Sequence, residues 1–202
     1  MRTFIESLES QVADRTEELE IRNRELTELA VRDGLTGLDN HSTTIELLKQ
    51  GTEHSKRYEF PTSVVMLDID EFKLINDPFG HPTGDKVILA VSQMLIDEIR
   101  SADVVGRYGG DEFLIVLSHA NVSSAREYGE RLLDRIRSIR MEELGDRTVT
   151  ASIGIAILNS LDRQTNASEL IQRADRAMYK SKLDGRDCLT ISILALVATS
   201  RI

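Results

Sequence analysis

A single cysteine, Cys188, stands among the 202 residues, so no internal disulfide is open to the chain and a reducing compartment suits it. Positive charge is not in surplus: 34 Asp and Glu outweigh 25 Lys and Arg, for a formal net charge of −9. That sign disfavours non-specific binding to nucleic acid or to an anionic membrane. Long apolar runs are missing too. The longest near either end, Ile191 to Ala198, is interrupted only by Ser192 and is far short of the roughly 20 residues of a membrane helix. Arg2 to Glu20 is charge-dense throughout, so no signal peptide is expected there. His41, His54, His81 and His119 have no zinc-ligand spacing with each other or with Cys188. Internal repeats and low-complexity tracts are absent. What remains, 41% hydrophobic and 29% charged, has the apolar content to bury the core of one domain with something attached. A soluble, acidic, cytoplasmic protein is expected.

Residues 1–32 lack Gly and Pro and are rich in Glu, Arg and Leu. A seven-residue frame puts Ile5, Leu8, Val12, Arg15, Leu19, Arg22, Leu26 and Leu29 at successive a and d positions, and six of the eight are apolar. That spacing predicts a coiled-coil stalk, with Arg15 and Arg22 weakening the seam or setting its register. Asp33-Gly34 stops the helix, and residues 33–193 read as the core domain; residues 194–202 are a tail without assignment.

Within the core the pattern predicts a helix from Asn40 to about Tyr58, ended by Pro61. Ser63 to Leu67 is continuously apolar, as in a strand covered on both faces. A turn is expected around Asp77 to Gly84, then a helix face at Ile88, Val91, Leu95 and Ile99. Val104 to Tyr108 and Phe113 to Leu117 read as a hairpin with a tight two-residue Gly109-Gly110 turn. Ala125, Tyr128, Leu132, Ile136 and Ile139 mark a helix, and Val149, Ala151, Ile153, Ile155 and Ile157 alternate as a strand. Leu170, Ala174, Ala177 and Met178 give a further helix, and Cys188 to Ile193 a last strand. Strand, helix, strand, strand, helix, strand is the ferredoxin-like split βαβ order, so the expected class is α+β with a helix and strand appended.

Two acidic elements sit at strand edges. Asp68 and Asp70 leave the same face at the end of the buried strand, where a free carboxylate pair would repel and a divalent cation would relieve it. Asp-x-Asp alone is also a common solvated pair. Gly109-Gly110-Asp111-Glu112-Phe113 adds two acids at the hairpin tip, beside glycines that permit positive φ and close approach of a ligand. A Gly-Gly turn with two solvated acids has the same spelling. Converging on one site, the two clusters would suit metal-assisted phosphoryl or nucleotidyl transfer.

Gly109-Gly110-Asp111-Glu112-Phe113 is also the signature of the GGDEF family, the diguanylate cyclases, and the resemblance runs from Asp33 to Leu189. It includes Asp33-Gly34-Leu35-Thr36-Gly37-Leu38-Asp39-Asn40, the run from Asp68 through Lys73 to Asn76-Asp77, and Gly80-His81-Pro82-Thr83-Gly84-Asp85. Arg107-Tyr108, Ser152-Ile153-Gly154, Ala174-Asp175-Arg176-Ala177-Met178-Tyr179 and Lys182-Leu183-Asp184-Gly185-Arg186 follow in order. Each motif alone is weak; together, in order, they are specific. One departure is Asn40-His41-Ser42, where relatives usually have Asn-Arg-Arg.

The resemblance implies a nucleotide-cyclase, polymerase-palm-like core that condenses two GTP into cyclic di-GMP and two pyrophosphates. It implies Mg²⁺, with Mn²⁺ as a substitute, held by Asp68, the carbonyl of Ile69 and Asp111. Glu112 would position substrate or take the 3′-hydroxyl proton; which acid is the base stays open. Asn76 and Asp85 would read guanine, an amide and a carboxylate matching that base's edge. Lys73, Lys182 and Arg186 would neutralise phosphates. Arg100 and Asp103 resemble the inhibitory Arg-x-x-Asp site for cyclic di-GMP, and a helix-terminal Arg with a capping Asp is the plainer reading. Each domain would hold one GTP, so a homodimer joined by the coiled coil is implied, with a sensory domain upstream in many relatives. A receptor that binds nucleotide without turnover is the competing class, and a cyclase that also accepts ATP a third.

Overall fold

The structure is a computed structural model and describes Arg15 and residues 31–159 and 162–192. The coiled coil expected over residues 1–32 and the tail 194–202 lie outside the described residues, apart from Arg15, Val31 and Arg32.

Helix α1 (His41–Tyr58) begins where Asn40 Oδ1 accepts the Thr43 N–H at 3.0 Å. It stops at Glu59, whose backbone turns left-handed. Strand β1 (Thr62–Ile69) is buried at all eight positions, as its unbroken apolar run requires. The turn expected at Asp77 to Gly84 is instead the junction of two helices, α2 (Phe72–Phe79) and α3 (His81–Glu98), broken only at Gly80. Its prolines are accommodated by position. Pro82 falls in the first turn of α3, where no backbone donor is needed. Pro78 cannot donate to the Leu74 carbonyl, and Arg147 Nη1 takes that carbonyl at 2.6 Å.

Strands β2 (Val104–Arg107) and β3 (Glu112–Ser118) form the hairpin, followed by α4 (Val122–Arg137), a 3₁₀ turn at Glu142–Leu144, and β4 (Ala151–Leu158). The last elements are α5 (Ala167–Leu183) and β5 (Leu189–Ser192). Asn121 and Asn166 cap α4 and α5 as Asn40 caps α1.

The five-stranded mixed sheet has the order β2-β3-β1-β4-β5, antiparallel except for the parallel β4–β5 pair. Its first four strands follow the connectivity expected of a split βαβ core. Strand periodicity divides the interior. Val65, Leu67, Ile69, Ile115 and Ile153 face α3 and α4; Val64, Met66, Leu114 and Val116 face α1 and α5. At Gly154 the backbone of α5 presses onto β4: a Cβ there would lie 2.0 Å from the Ala174 carbonyl oxygen and 2.1 Å from Met178 N.

Candidate active site

At the end of β1, Asp68 lies between Glu112 on β3 and Ser152 on β4. Only 6% of Asp68 is exposed. Lys182 reaches it from α5, with Nζ 2.7 Å from Oδ2. Burial pushes the Asp68 carboxyl up to about 6, with Asp111 and Glu112 adding to the rise and Lys182 opposing it. Glu112 is raised as well, first by burial and then by Asp111 and Asp175, against Lys182. Two acidic elements far apart in sequence thus meet at one strand end, as expected.

Asp70 is on this side of the sheet but does not leave a free carboxylate pair. Its oxygens accept Ser152 Oγ at 2.6 Å, Thr150 Oγ1 at 2.9 Å and the Asp187 N–H at 3.0 Å. One residue past the strand, it bonds to the neighbouring chain segments rather than facing Asp68.

The signature loop is wider than the two-residue turn expected. Tyr108 and Gly109 both donate their N–H to the Glu112 carbonyl, at 2.8 and 3.2 Å, and Ile69 N–H reaches the Asp111 carbonyl at 3.2 Å. Neither Gly109 nor Gly110 adopts positive φ. Gly109 serves closeness instead: a Cβ on it would stand 2.6 Å from Glu112 Oε2. Arg107 braces the loop, Nη2 to the Gly110 carbonyl at 2.7 Å and Nη1 to Asp33 Oδ1 at 3.1 Å. Burial works against the Asp33 charge, yet bonds from Thr36 and Arg107 outweigh it and hold that carboxyl below its ordinary value. His41, the departure from the family spelling, packs its ring on Tyr108 with centroids 4.6 Å apart.

Asn76 packs against Gly84, the residue before Asp85 in the first turns of α3. The Asn76 amide lies on Gly84 so closely that a Cβ would sit 2.0 Å from Asn76 Oδ1. That oxygen is buried and has no hydrogen-bond partner, while Asp85 and Lys73 are exposed beside it on α3 and α2. Arg186 is exposed in the turn before β5.

Arg100 and Asp103 lie elsewhere. The pattern ends α3 at these residues, but the helix stops at Glu98 and they form a separate turn, with Asp103 N–H on the Arg100 carbonyl at 3.0 Å. Asp103 Oδ1 accepts the Ser118 N–H at 2.9 Å, and Arg100 is exposed. Since Val104 pairs with Val116 and Arg107 with Phe113, this turn is at the opposite end of the hairpin from the signature loop.

Asp175, which bears on both Glu112 and Tyr108, Arg107 and Asp33 join the site without having been among its expected residues. All three stand in the quoted motifs, and charged residues within them were the available signal.

A family model described as diguanylate cyclase, GGDEF domain, matches residues 30–188. The chain belongs to the GGDEF diguanylate cyclase family. Diguanylate cyclase DosC of Escherichia coli K12 is 39% identical over 157 residues, which cover 77% of this chain and 34% of DosC. Probable diguanylate cyclase DgcC of the same organism is 34% identical over 164 residues, 81% of this chain and 44% of DgcC. This GGDEF chain therefore spans less than half the length of those relatives. Among solved structures, the coiled coil and GGDEF domain of DgcB from Caulobacter crescentus, in complex with c-di-GMP, matches with TM-score 0.80 and 29% identity. The match covers 92% of this chain and 99% of that one. Pseudomonas aeruginosa SiaD, solved with its activator SiaC, matches with TM-score 0.74 and 34% identity over 90% of this chain and 70% of SiaD. Among the described residues of this GGDEF chain, no helix is long and apolar enough to cross a membrane.

Proposed function

We propose that the chain is a diguanylate cyclase that condenses two GTP into cyclic di-GMP across a homodimer. The observation that carries this reading is the meeting of Asp68, Asp111 and Glu112 against Lys182 at the end of β1. Such an excess of negative charge, half-buried at Asp111 and Glu112 and buried at Asp68, fits a hard divalent cation. Among the described residues no three His, Cys, Asp or Glu side chains are disposed to hold a metal by themselves. The donor set that the family resemblance implies, Asp68, Asp111 and the Ile69 carbonyl, has two carboxylates, and the nucleotide's own phosphates would complete it. The Mg²⁺ so held would neutralise the triphosphate and the departing pyrophosphate.

The protein's own residues do the rest. Asn76 Oδ1, an orphaned buried acceptor, and the Asp85 carboxylate suit the N1–H and 2-amino donors of guanine; adenine lacks both. Lys73, Lys182 and Arg186 hold phosphate oxygens. The 3′-hydroxyl oxygen of one GTP forms a bond to the α-phosphorus of the other, and the bond to the bridging oxygen breaks to release pyrophosphate. The hydroxyl proton passes to a nearby ionised carboxylate or to water, with Glu112, raised by burial, next to the site. The same step in the other direction closes the ring. One nucleotide site per domain makes turnover depend on two domains facing each other, which residues 1–32, as a stalk, would favour by raising effective concentration. Arg100 and Asp103 would bind product as an inhibitory site.

Incubating the full chain with GTP and Mg²⁺, followed by chromatography, tests this. Cyclic di-GMP should form with a specific activity that rises with protein concentration, and Asp111→Ala should lower the rate at least about 100-fold. GTP binding without product at any concentration would make the chain a receptor instead.

A further inference from the structure

The turn that carries Arg186 has an unusual backbone. Gly185, Arg186 and Asp187 take φ of 116°, 64° and 47° in succession, a left-handed run that side-chain-bearing residues keep only where their surroundings hold them. The holding contacts surround Asp187. Its N–H donates to Asp70 Oδ2 at 3.0 Å, and its carbonyl accepts Arg137 Nη2 at 3.0 Å. Its carboxylate accepts Arg137 Nε at 2.8 Å on each oxygen. Arg186 N–H donates to the Ser181 carbonyl at 3.0 Å. Asp70 is itself buried and fixed by Thr150 and Ser152. The turn is thereby fastened to the end of β1, the last residue of α4 and the last turn of α5.

The Arg137–Asp187 ion pair does little for the fold as a whole. The Arg137 and Asp187 side chains are 38% and 37% exposed, and an exposed pair adds little to global stability. What they fix is local: a strained backbone whose exposed arginine has no ion-pair partner among the described residues. We propose that Asp70, Asp187 and Arg137 are positioning residues that hold Arg186 ready for the triphosphate of the incoming nucleotide. This rests on the phosphate role given to Arg186 above. Fixing the backbone before binding spares the substrate the ordering of a loop, so the network should appear in nucleotide affinity.

The test is a double-mutant cycle on the full chain with Mg²⁺ and 3′-deoxy-GTP, which lacks the attacking hydroxyl and so reports binding without turnover. Arg137→Ala should weaken binding about tenfold in the native background and hardly at all in an Arg186→Ala background. Arg137→Lys should recover part of the loss. Equal losses in both backgrounds, or no loss in either, would overturn the proposal while leaving Arg186 its phosphate role. If Arg186→Ala by itself left affinity intact, the phosphate assignment and the network built on it would both fall.

Discussion

Among the described residues, Lys182 alone answers Asp68 and the two acids that bear on it, Asp111 and Glu112, and the imbalance is legible in protonation. The Asp68 carboxyl ionises at an ordinary 3.8 when unfolded and at about 6 when folded, so the folded state binds its proton more tightly. The stability from that proton is complete below about pH 4 and is lost as pH rises through about 6. Without divalent cation, the Tm should fall across this window, and Asp68→Asn should flatten that step relative to the unsubstituted chain. Added Mg²⁺ should restore the Tm above pH 6 only in the unsubstituted protein. Asn76 supports a second prediction. Its buried Oδ1 lacks a partner, so a bound donor gains the full benefit of satisfying it. Asn76→Ala should raise the KM for GTP at least about fivefold and narrow the preference for GTP over ATP. The sequence named both residues, but not the isolation of that oxygen or the engagement of Asp70, since neither follows from spacing.

Elements were legible where period and length were strong. Ser63 to Leu67 lie within β1, which runs further at both ends, and the stripe of α4 at Ala125, Tyr128, Leu132 and Ile136 lies where its pattern put it, although the helix stops before Ile139. Prolines and glycines misled between Asp77 and Gly84, because a breaker's effect depends on where it falls in a turn. Pro82 costs nothing in a first turn, and the carbonyl that Pro78 leaves unpaired is taken by Arg147, 69 positions after Pro78. Gly154 is the opposite case, a glycine in a strand whose necessity belongs to the helix above it. Gly154→Ala should destabilise the domain by at least about 2 kcal/mol in denaturant titration, since the neighbouring atoms are backbone and cannot rotate away. Because α5 also carries Lys182, nucleotide affinity should fall with it.

At the scale of the molecule, the signature loop and the Arg100–Asp103 turn stand at opposite ends of one hairpin. An inhibitor bound at the turn, as proposed above, would therefore act without touching the signature loop. Arg100→Ala should raise the cyclic di-GMP concentration needed for half-inhibition at least about tenfold, measured as initial rates of pyrophosphate release. An unchanged value would remove the turn from the account. Asp103 already bonds the Ser118 backbone, so replacing it would also disturb the strand end; Arg100 is the cleaner probe.

The sequence by itself determined the class of the fold and the family, because periodicity and motif order are written in neighbouring positions. Which acids share a charge, which oxygen is left without a partner, and what holds Arg186 in a left-handed turn were decided only by tertiary structure. Those properties arise between segments up to 117 residues apart, as Asp70 and Asp187 are. Burial and distance between such segments set the energies of charges and hydrogen bonds, and a local pattern carries neither.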